Sequence, residues 1–169
     1  MKYNPNHSLS TNFRMYEVAR SSTATRLEIG NKPSAEVLVA AKVLAEKVLE
    51  PVRGHFGVPF SPQSWYRGSL LEYSLCGSSY WEWCVRKDLS PSEEVWDRYL
   101  LLKSHPKGEA ADIEIPGVDN WDLHDWIQDN CEFDQLIREY PVKGEPMSGW
   151  VHVSHSLTEN RGEVFVVGG

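Results

Sequence analysis

Two histidines and one aspartate carry the clearest chemical signal in the sequence. His105 and Asp112 lie seven residues apart, with Gly108 and two alanines between them, and His152 follows forty residues after Asp112. Two imidazoles and a carboxylate are typical zinc ligands, and they leave one coordination position open for water. The small residues between His105 and Asp112 predict a backbone that turns close to an ion. Considered alone, the spacing is more often found for solvated or hydrogen-bonded surface side chains.

Alternation of apolar and polar residues places these candidates on strands. Over 111–115 the pattern puts Asp112 on the polar face, and over 150–154 it puts Trp150, His152 and Ser154 on one face. Further short strands are predicted near 58–66, 133–140 and 164–167.

Helical signals are strongest in the first half of the chain. Apolar residues recur at helical spacing from Pro33 to a stop at Gly54 or Gly57, and a capping box at 90–93 predicts a second helix. A third helix can be capped by Asp119 or Asn120. The predicted helices lie mainly in the first part of the chain and the short strands mainly in the last part. This order predicts an α+β fold with a small, mainly antiparallel sheet and helices packed on it.

Length and charge exclude several classes of protein. A chain of 169 residues predicts a single domain, 1–169, with an N-terminal arm over about 1–30. The net charge of −7 argues against nucleic acid or an anionic membrane surface as the main partner. The sequence contains neither an apolar run long enough for membrane insertion nor the apolar centre of a signal peptide, so we expect synthesis in the cytoplasm. The cysteines, Cys76, Cys84 and Cys131, are interpreted as thiols in preference to a Cys76–Cys84 bridge.

The motif His105-x-x-Gly108-x-Ala110-x-Asp112, followed by Trp150-Val151-His152, resembles the metal signature of the D-alanyl-D-alanine carboxypeptidase family. These are zinc peptidases of bacterial cell walls, related in fold to the lysostaphin and hedgehog group. The resemblance continues in order through 22–26, 44–53, 66–67 and 133–139. Within the family, the chain is most similar to the small phage-encoded branch, which includes lytic endopeptidases.

The resemblance implies a role for individual residues. His105, Asp112 and His152 would be the Zn²⁺ ligands, and Arg67 would hold the substrate carbonyl or carboxylate. Many members keep a glutamate three residues before the last histidine; here Gly149 stands at that position, and Glu139 is the candidate base, with a salt bridge as its structural alternative. The remaining candidates are substrate contacts at Tyr66 and Trp150 and supporting residues at Ser104 and His155.

The implied activity is hydrolysis of a peptidoglycan stem peptide, at either the D-Ala-D-Ala or the L-Ala-D-Glu bond. A wall enzyme without a signal peptide suits a phage product that is released to the cell wall or periplasm at lysis, or is mounted on a virion with virion proteins as partners. Lys103, Gly68 and Glu72 depart from the family pattern and leave substrate identity open. They also support an alternative, a noncatalytic metal-stabilised module of the wall-binding or virion type.

The segment 75–101 is longer than the family's usual link and rich in aromatic residues, namely Tyr80, Trp81, Trp83, Trp96 and Tyr99. The preferred interpretation is a helix packed on the domain by these rings. A lid over the site or a contact with the cell wall is the functional alternative.

Overall fold

The computed structural model describes residues 1–168 and has an α+β fold, which confirms the fold class predicted from the sequence. One four-stranded sheet is surrounded by helices. The helices are α1 (Met15–Ala19), α2 (Ser22–Arg26), α3 (Ala35–Leu44), α4 (Glu50–Phe56), α5 (Ser69–Arg86), α6 (Glu93–Leu100) and α7 (Asn120–Asn130). The strands are β1 (Ala110–Ile113), β2 (Gln135–Glu139), β3 (Trp150–Ser154) and β4 (Glu163–Val167).

The strand order of the sheet is β1-β3-β2-β4. β3 pairs antiparallel with both β1 and β2, whereas β4 joins the far edge of β2 in parallel. The sheet is therefore mixed, although two of its three pairings are antiparallel. The central pairing fixes the register of β3 between β1 and β2, which places His152 opposite both Asp112 and Ile137.

The long helical pattern of the first half forms a continuous helical stretch from α3 to α4. The Ser34 hydroxyl accepts a hydrogen bond from the Val37 amide at its start, and Gly57 ends it with a φ of 65°. A π-helical turn, Ala45–Leu49, separates the two helices. Pro51 follows at the start of α4; it has no N–H and its ring displaces the carbonyl four residues earlier, which favours a wider turn at this point.

Three sequence predictions differ from the structure. The segment 58–66 does not form a strand and makes only a single antiparallel bridge, between Ser64 and Asp112. Residues 1–30 contain α1 and α2, and Phe13 and Val18 are fully buried in the core. The predicted second helix begins at Glu93 and not at Pro91, because the Ser92 hydroxyl caps the Val95 amide.

The apolar side chains form two separate clusters. The main core joins α1, α3, α4, α7 and one face of the sheet, with Trp65, Leu44 and Leu136 among its fully buried residues. A smaller cluster holds α5 against α6 through Tyr80, Cys84, Trp96 and Tyr99. Tyr80, Trp96 and Tyr99 therefore pack the two helices against each other, in a cluster separate from the main core.

Two expectations about the chain as a whole can be compared with the described residues. All three cysteines are free thiols, as predicted. Over residues 1–168, we find no helix with the combination of length and apolarity that crossing a membrane requires.

Candidate metal centre

The face of the sheet opposite the main core forms the floor of a cleft. Side chains alternate along each strand, so the residues that pair across β2 and β3 share this face. His152 lies opposite Asp112 on β1, and Trp150 lies opposite Glu139 on β2. The cleft has a volume of about 630 Å³ and is also lined by Arg67, which precedes α5, and by Glu72 and Cys76 of α5.

His105 reaches this floor from a short 3₁₀ helix, His105–Lys107, which directly precedes β1. Gly108 ends that helix with a φ of 78°, and a Cβ atom there would lie 2.6 Å from the Val37 carbonyl oxygen. The turn therefore needs glycine because it presses against α3. This glycine was expected to let the backbone approach an ion, whereas its close contact is with helix α3.

The three predicted ligands meet in a buried group. The Nε2 atom of His105 lies 3.2 Å from Oδ1 of Asp112, and the Nδ1 atom of His152 lies 2.9 Å from the same oxygen. One donor atom from each residue falls within 4.8 Å of the others. The group could therefore hold a metal ion.

The hydrogen bonding of His105 fits metal binding. Its Nδ1 atom lies 2.6 Å from the carbonyl oxygen of Trp65, which can only accept, so Nδ1 carries a proton. In the neutral ring, Nε2 is then unprotonated, and its lone pair faces the Asp112 carboxylate. Nε2 of His105 and Oδ1 of Asp112 are then both hydrogen-bond acceptors 3.2 Å apart. Because two acceptors at this distance repel each other, a proton or a cation between them would stabilise the arrangement. A backbone carbonyl behind a histidine is also the usual device that orients a metal ligand.

The electrostatics of the pair favour the protonation states that bind metals. Burial lowers the pKa of the His105 imidazole, although the nearby Asp112 carboxylate acts in the opposite direction. Burial also opposes ionisation of Asp112, but the imidazoles of His105 and His152 outweigh it and hold the pKa of this carboxyl well below its usual range. A neutral imidazole and an ionised carboxylate are the ligand forms that a divalent metal requires.

Arg67 lies against the same carboxylate. Its Nη2 atom donates to Oδ2 of Asp112, and its Nε atom donates to the Ser64 hydroxyl at 2.8 Å. The Nη1 atom is 3.8 Å from the carboxylate of Glu72, which is buried in the same cleft. The guanidinium is therefore held on two sides and faces the cleft with its remaining donors.

Glu139 is the second carboxylate of the cleft. Its Oε1 atom lies 4.0 Å from Nδ1 of His152, with the side chain about one-fifth exposed. Burial and the negative charge of Asp112 raise the pKa of Glu139. The carboxylate next to the candidate metal site is therefore a stronger base than a solvated glutamate and remains in contact with solvent.

The backbone explains why a glutamate cannot occupy position 149. Gly149 has a φ of 60°, and a Cβ atom there would lie 1.8 Å from the Glu139 carbonyl oxygen. Any side chain at this position would force β2 and β3 apart. Glu139 lies directly across this contact, so it supplies a carboxylate from the neighbouring strand.

The other predicted site residues divide into two groups. Trp150 and Ser104 line the cleft with the ligands. Tyr66 packs against the main core, and His155 donates its backbone N–H to the Glu109 carbonyl and turns its ring toward Asn160. Among residues 1–168, neither of these two belongs to the cleft lining.

Three features of the site were missed by sequence reasoning. The Trp65 carbonyl orients His105, and the Ser64 hydroxyl orients Arg67. The Asn31 side chain links the loop before Arg67 to α1, because it donates to the carbonyls of Tyr66 and Ala19. Every residue has a backbone carbonyl, so residue type does not indicate which carbonyl will orient a histidine. Only the proximity of Ser64 to Arg67, three positions apart, was a usable signal in the sequence.

Comparisons with protein-family models, with curated proteins and with solved structures found no match for this chain. The case for a function therefore rests on the residues of the site and on their geometry.

Proposed function

We propose that this protein is a zinc-dependent peptidase that hydrolyses peptidoglycan stem peptides. The observation that carries the proposal is the buried His105, Asp112 and His152 group with a second carboxylate, Glu139, 4.0 Å from one of its imidazoles. Two imidazoles and one carboxylate form a ligand set of catalytic zinc sites, which keep a position open for water. Structural zinc sites are instead usually closed by four protein ligands.

When bound, Zn²⁺ would supply Lewis acidity and lower the pKa of a coordinated water to about 7. Glu139 would accept a proton from the attacking water as the water oxygen forms its bond to the amide carbon. The same carboxyl would then donate that proton to the leaving nitrogen as the carbon–nitrogen bond breaks.

Arg67 would stabilise the charge that develops on the carbonyl oxygen. Its side chain is fixed by Ser64 and Asp112, so the guanidinium is oriented before substrate arrives. Preoriented donors of this kind lower the barrier because they need no reorganisation during the reaction. Trp150 forms an aromatic wall of the cleft against which a peptide could pack.

The choice of peptidoglycan as substrate rests on the resemblance of the His105 to Asp112 motif and of Trp150-Val151-His152 to cell-wall carboxypeptidases. The terminal D-Ala-D-Ala bond and the L-Ala-D-Glu bond are both candidates. We propose a phage origin, with action at the cell wall after release at lysis or from the virion. Detection of the protein in purified particles would support the virion role, and detection in infected lysate alone would support the lysis role.

Mass spectrometry of purified stem peptides incubated with the protein tests the activity. The reaction is run as purified, with a chelator, and after Zn²⁺ is added back. Loss of one alanine that requires metal indicates a carboxypeptidase, and release at the L-Ala-D-Glu bond indicates an endopeptidase. Absence of cleavage by a folded, zinc-loaded protein would contradict the proposal and favour a noncatalytic metal-stabilised module.

A further inference from the structure

A second cavity lies between α5 and α6, outside the metal cleft. It has a volume of about 480 Å³ and is lined by aromatic and acidic side chains. From α5 it takes Tyr73 and Trp81, whereas Glu72 and Cys76 of the same helix line the metal cleft. α5 therefore contributes to two distinct sites.

The walls of this cavity are aromatic rings that meet at steep angles. The ring of Tyr73 stands at 87° to that of Trp96, with 5.2 Å between centroids, and Tyr80 stands at 80° to Trp96. Tyr80 also makes a 62° contact with Trp81. Two of these rings are open to solvent, Trp81 at 51% and Tyr73 at 44% exposure, whereas Tyr80 and Trp96 are buried.

The polar atoms of these rings are engaged with one another and with nearby serines. The Trp96 indole N–H donates to the Ser69 hydroxyl at 2.8 Å, and the Tyr80 hydroxyl donates to the Ser92 carbonyl at 3.1 Å. The Trp81 indole N–H points to the Tyr73 hydroxyl at 3.4 Å. These rings therefore offer few free hydrogen-bonding groups to a ligand, and the faces of aromatic rings carry partial negative charge.

Two carboxylates complete the cavity, Glu93 and Asp97. Within the described part of the chain, neither makes an ion pair or a side-chain hydrogen bond, and the cavity lining contains neither lysine nor arginine. Glu93 lies in the first turn of α6, where the helix dipole favours an acid, but Asp97 lies a full turn later and lacks that support. The two carboxylates are exposed and have no cationic partner within the cavity lining.

We propose that the cavity between α5 and α6 binds an alkylammonium group, in particular a quaternary one. A cation over aromatic faces is attracted by their negative charge, and a quaternary ammonium has no N–H groups to satisfy, so it suits a site whose hydrogen bonds are already made. The carboxylates of Glu93 and Asp97 supply the matching charge. This inference is independent of the peptidase proposal, because the metal cleft contributes no residue to it.

Titration of the full-length protein with choline tests the inference, with 3,3-dimethylbutan-1-ol as a neutral ligand of the same shape. Binding is followed by calorimetry and tryptophan fluorescence at about 0.15 M salt, where diffuse surface attraction is screened. We expect saturable choline binding and binding of the alcohol roughly tenfold weaker. Equal affinity for the two ligands, or no saturable binding of choline, would overturn the proposal.

Variants locate the binding. Trp81→Leu and Asp97→Asn should each weaken choline binding by roughly threefold to tenfold, with circular dichroism checking that the fold is retained. Glu94→Gln is the matched control, since Glu94 is an exposed acid on the same helix that does not line the cavity. If Glu94→Gln weakened binding as much as Asp97→Asn, general acidity of α6 would explain the result and the cavity would not.

Discussion

Gly149 and Glu139 lie in such close contact that a Cβ atom at position 149 would be 1.8 Å from the Glu139 carbonyl oxygen. The Asn120 amide also donates to the carbonyls of Ser148 and Gly149, at 3.3 and 3.2 Å, and holds this end of the sheet together. The contact joins the end of β2, which carries the candidate base, to the start of β3, which carries His152. Position 149 therefore controls the spacing of two functional side chains without contributing one.

We predict that Gly149→Ala destabilises the protein by at least about 3 kcal/mol, because the added methyl group meets backbone atoms and the φ is positive. Gly117→Ala is the control: its φ is 78° and its Cβ would meet no atom within 4 Å. The control should cost only about 1 kcal/mol. Chemical denaturation measures both, and equal losses would show that the close contact with Glu139 is unimportant.

Metal affinity should depend on Asp112 and not on His155. Asp112→Asn removes the anionic ligand, and we expect the Kd for Zn²⁺ to rise by at least about 100-fold in calorimetry, given that even supporting residues around a metal contribute 10- to 100-fold. His155→Gln changes a buried imidazole outside the cleft and should bind Zn²⁺ as the wild type does. A large loss in the His155 variant would place that ring at the metal.

Replacement of the candidate base should separate activity from metal binding. Glu139→Gln keeps the size of the side chain and removes its basicity, so peptide hydrolysis should fall by about 10²- to 10⁴-fold with Zn²⁺ still bound. Glu145→Gln, an exposed acid in the β2–β3 connection, serves as control and should retain full activity. Loss of zinc together with activity in Glu139→Gln would indicate that this residue is a ligand.

The N-terminal segment should contribute to global stability. Phe13 is fully buried and packs edge-on against Phe60 and Trp65, with ring centroids 5.5 and 6.1 Å apart. Phe13→Ala should therefore cost about 3–5 kcal/mol in chemical denaturation. Tyr16→Ala, at a residue 43% exposed on α1, should cost much less. Similar small losses in both variants would show that the segment is a dispensable arm.

One ion pair that does not line the metal cleft should make stability depend on pH. Arg161 donates to both oxygens of Asp134 at 2.7 Å, and these hydrogen bonds, with burial acting against them, hold the pKa of Asp134 below its usual range. A lowered native pKa stabilises the fold above the unfolded-state pKa of about 3.9, and the stabilisation is lost as pH falls through the native value.

Arg161→Gln should therefore cost about 1 kcal/mol at pH 7, and the difference from wild type should shrink below about pH 4. Arg86→Gln removes an arginine whose pair with Glu82 is highly exposed, and it should have little effect at either pH. Thermal unfolding at several pH values measures both. A cost for Arg161→Gln that stayed constant down to pH 2 would exclude linkage to Asp134.

Local patterns predicted the elements that carry the metal group. Alternation placed His152 and Trp150 on one face of β3, and the bounds 150–154 agree with the structure. A helical stretch starting at Pro33 and ending at Gly54 or Gly57 was also predicted; the structure has Ser34 as its N-cap and Gly57 as its C-cap. Such signals are readable because caps act on neighbouring residues only. The aromatic segment 75–101 was interpreted as one packed helix, and its division into α5 and α6 was missed. The exposed Leu70, Tyr73 and Trp81 obscure a single apolar face on α5, and Cys76 interrupts its geometry.

The residue types and their local spacing were enough to nominate His105, Asp112 and His152, since ligand chemistry belongs to the side chains themselves. Their convergence depended on the pairing of β1 with β3, which joins residues forty positions apart. The orientation of His105 by the Trp65 carbonyl, the exclusion of a side chain at Gly149 and the acidic aromatic cavity between α5 and α6 arise only from packing. Such contacts are invisible to local patterns, because they depend on which distant segments the core brings together.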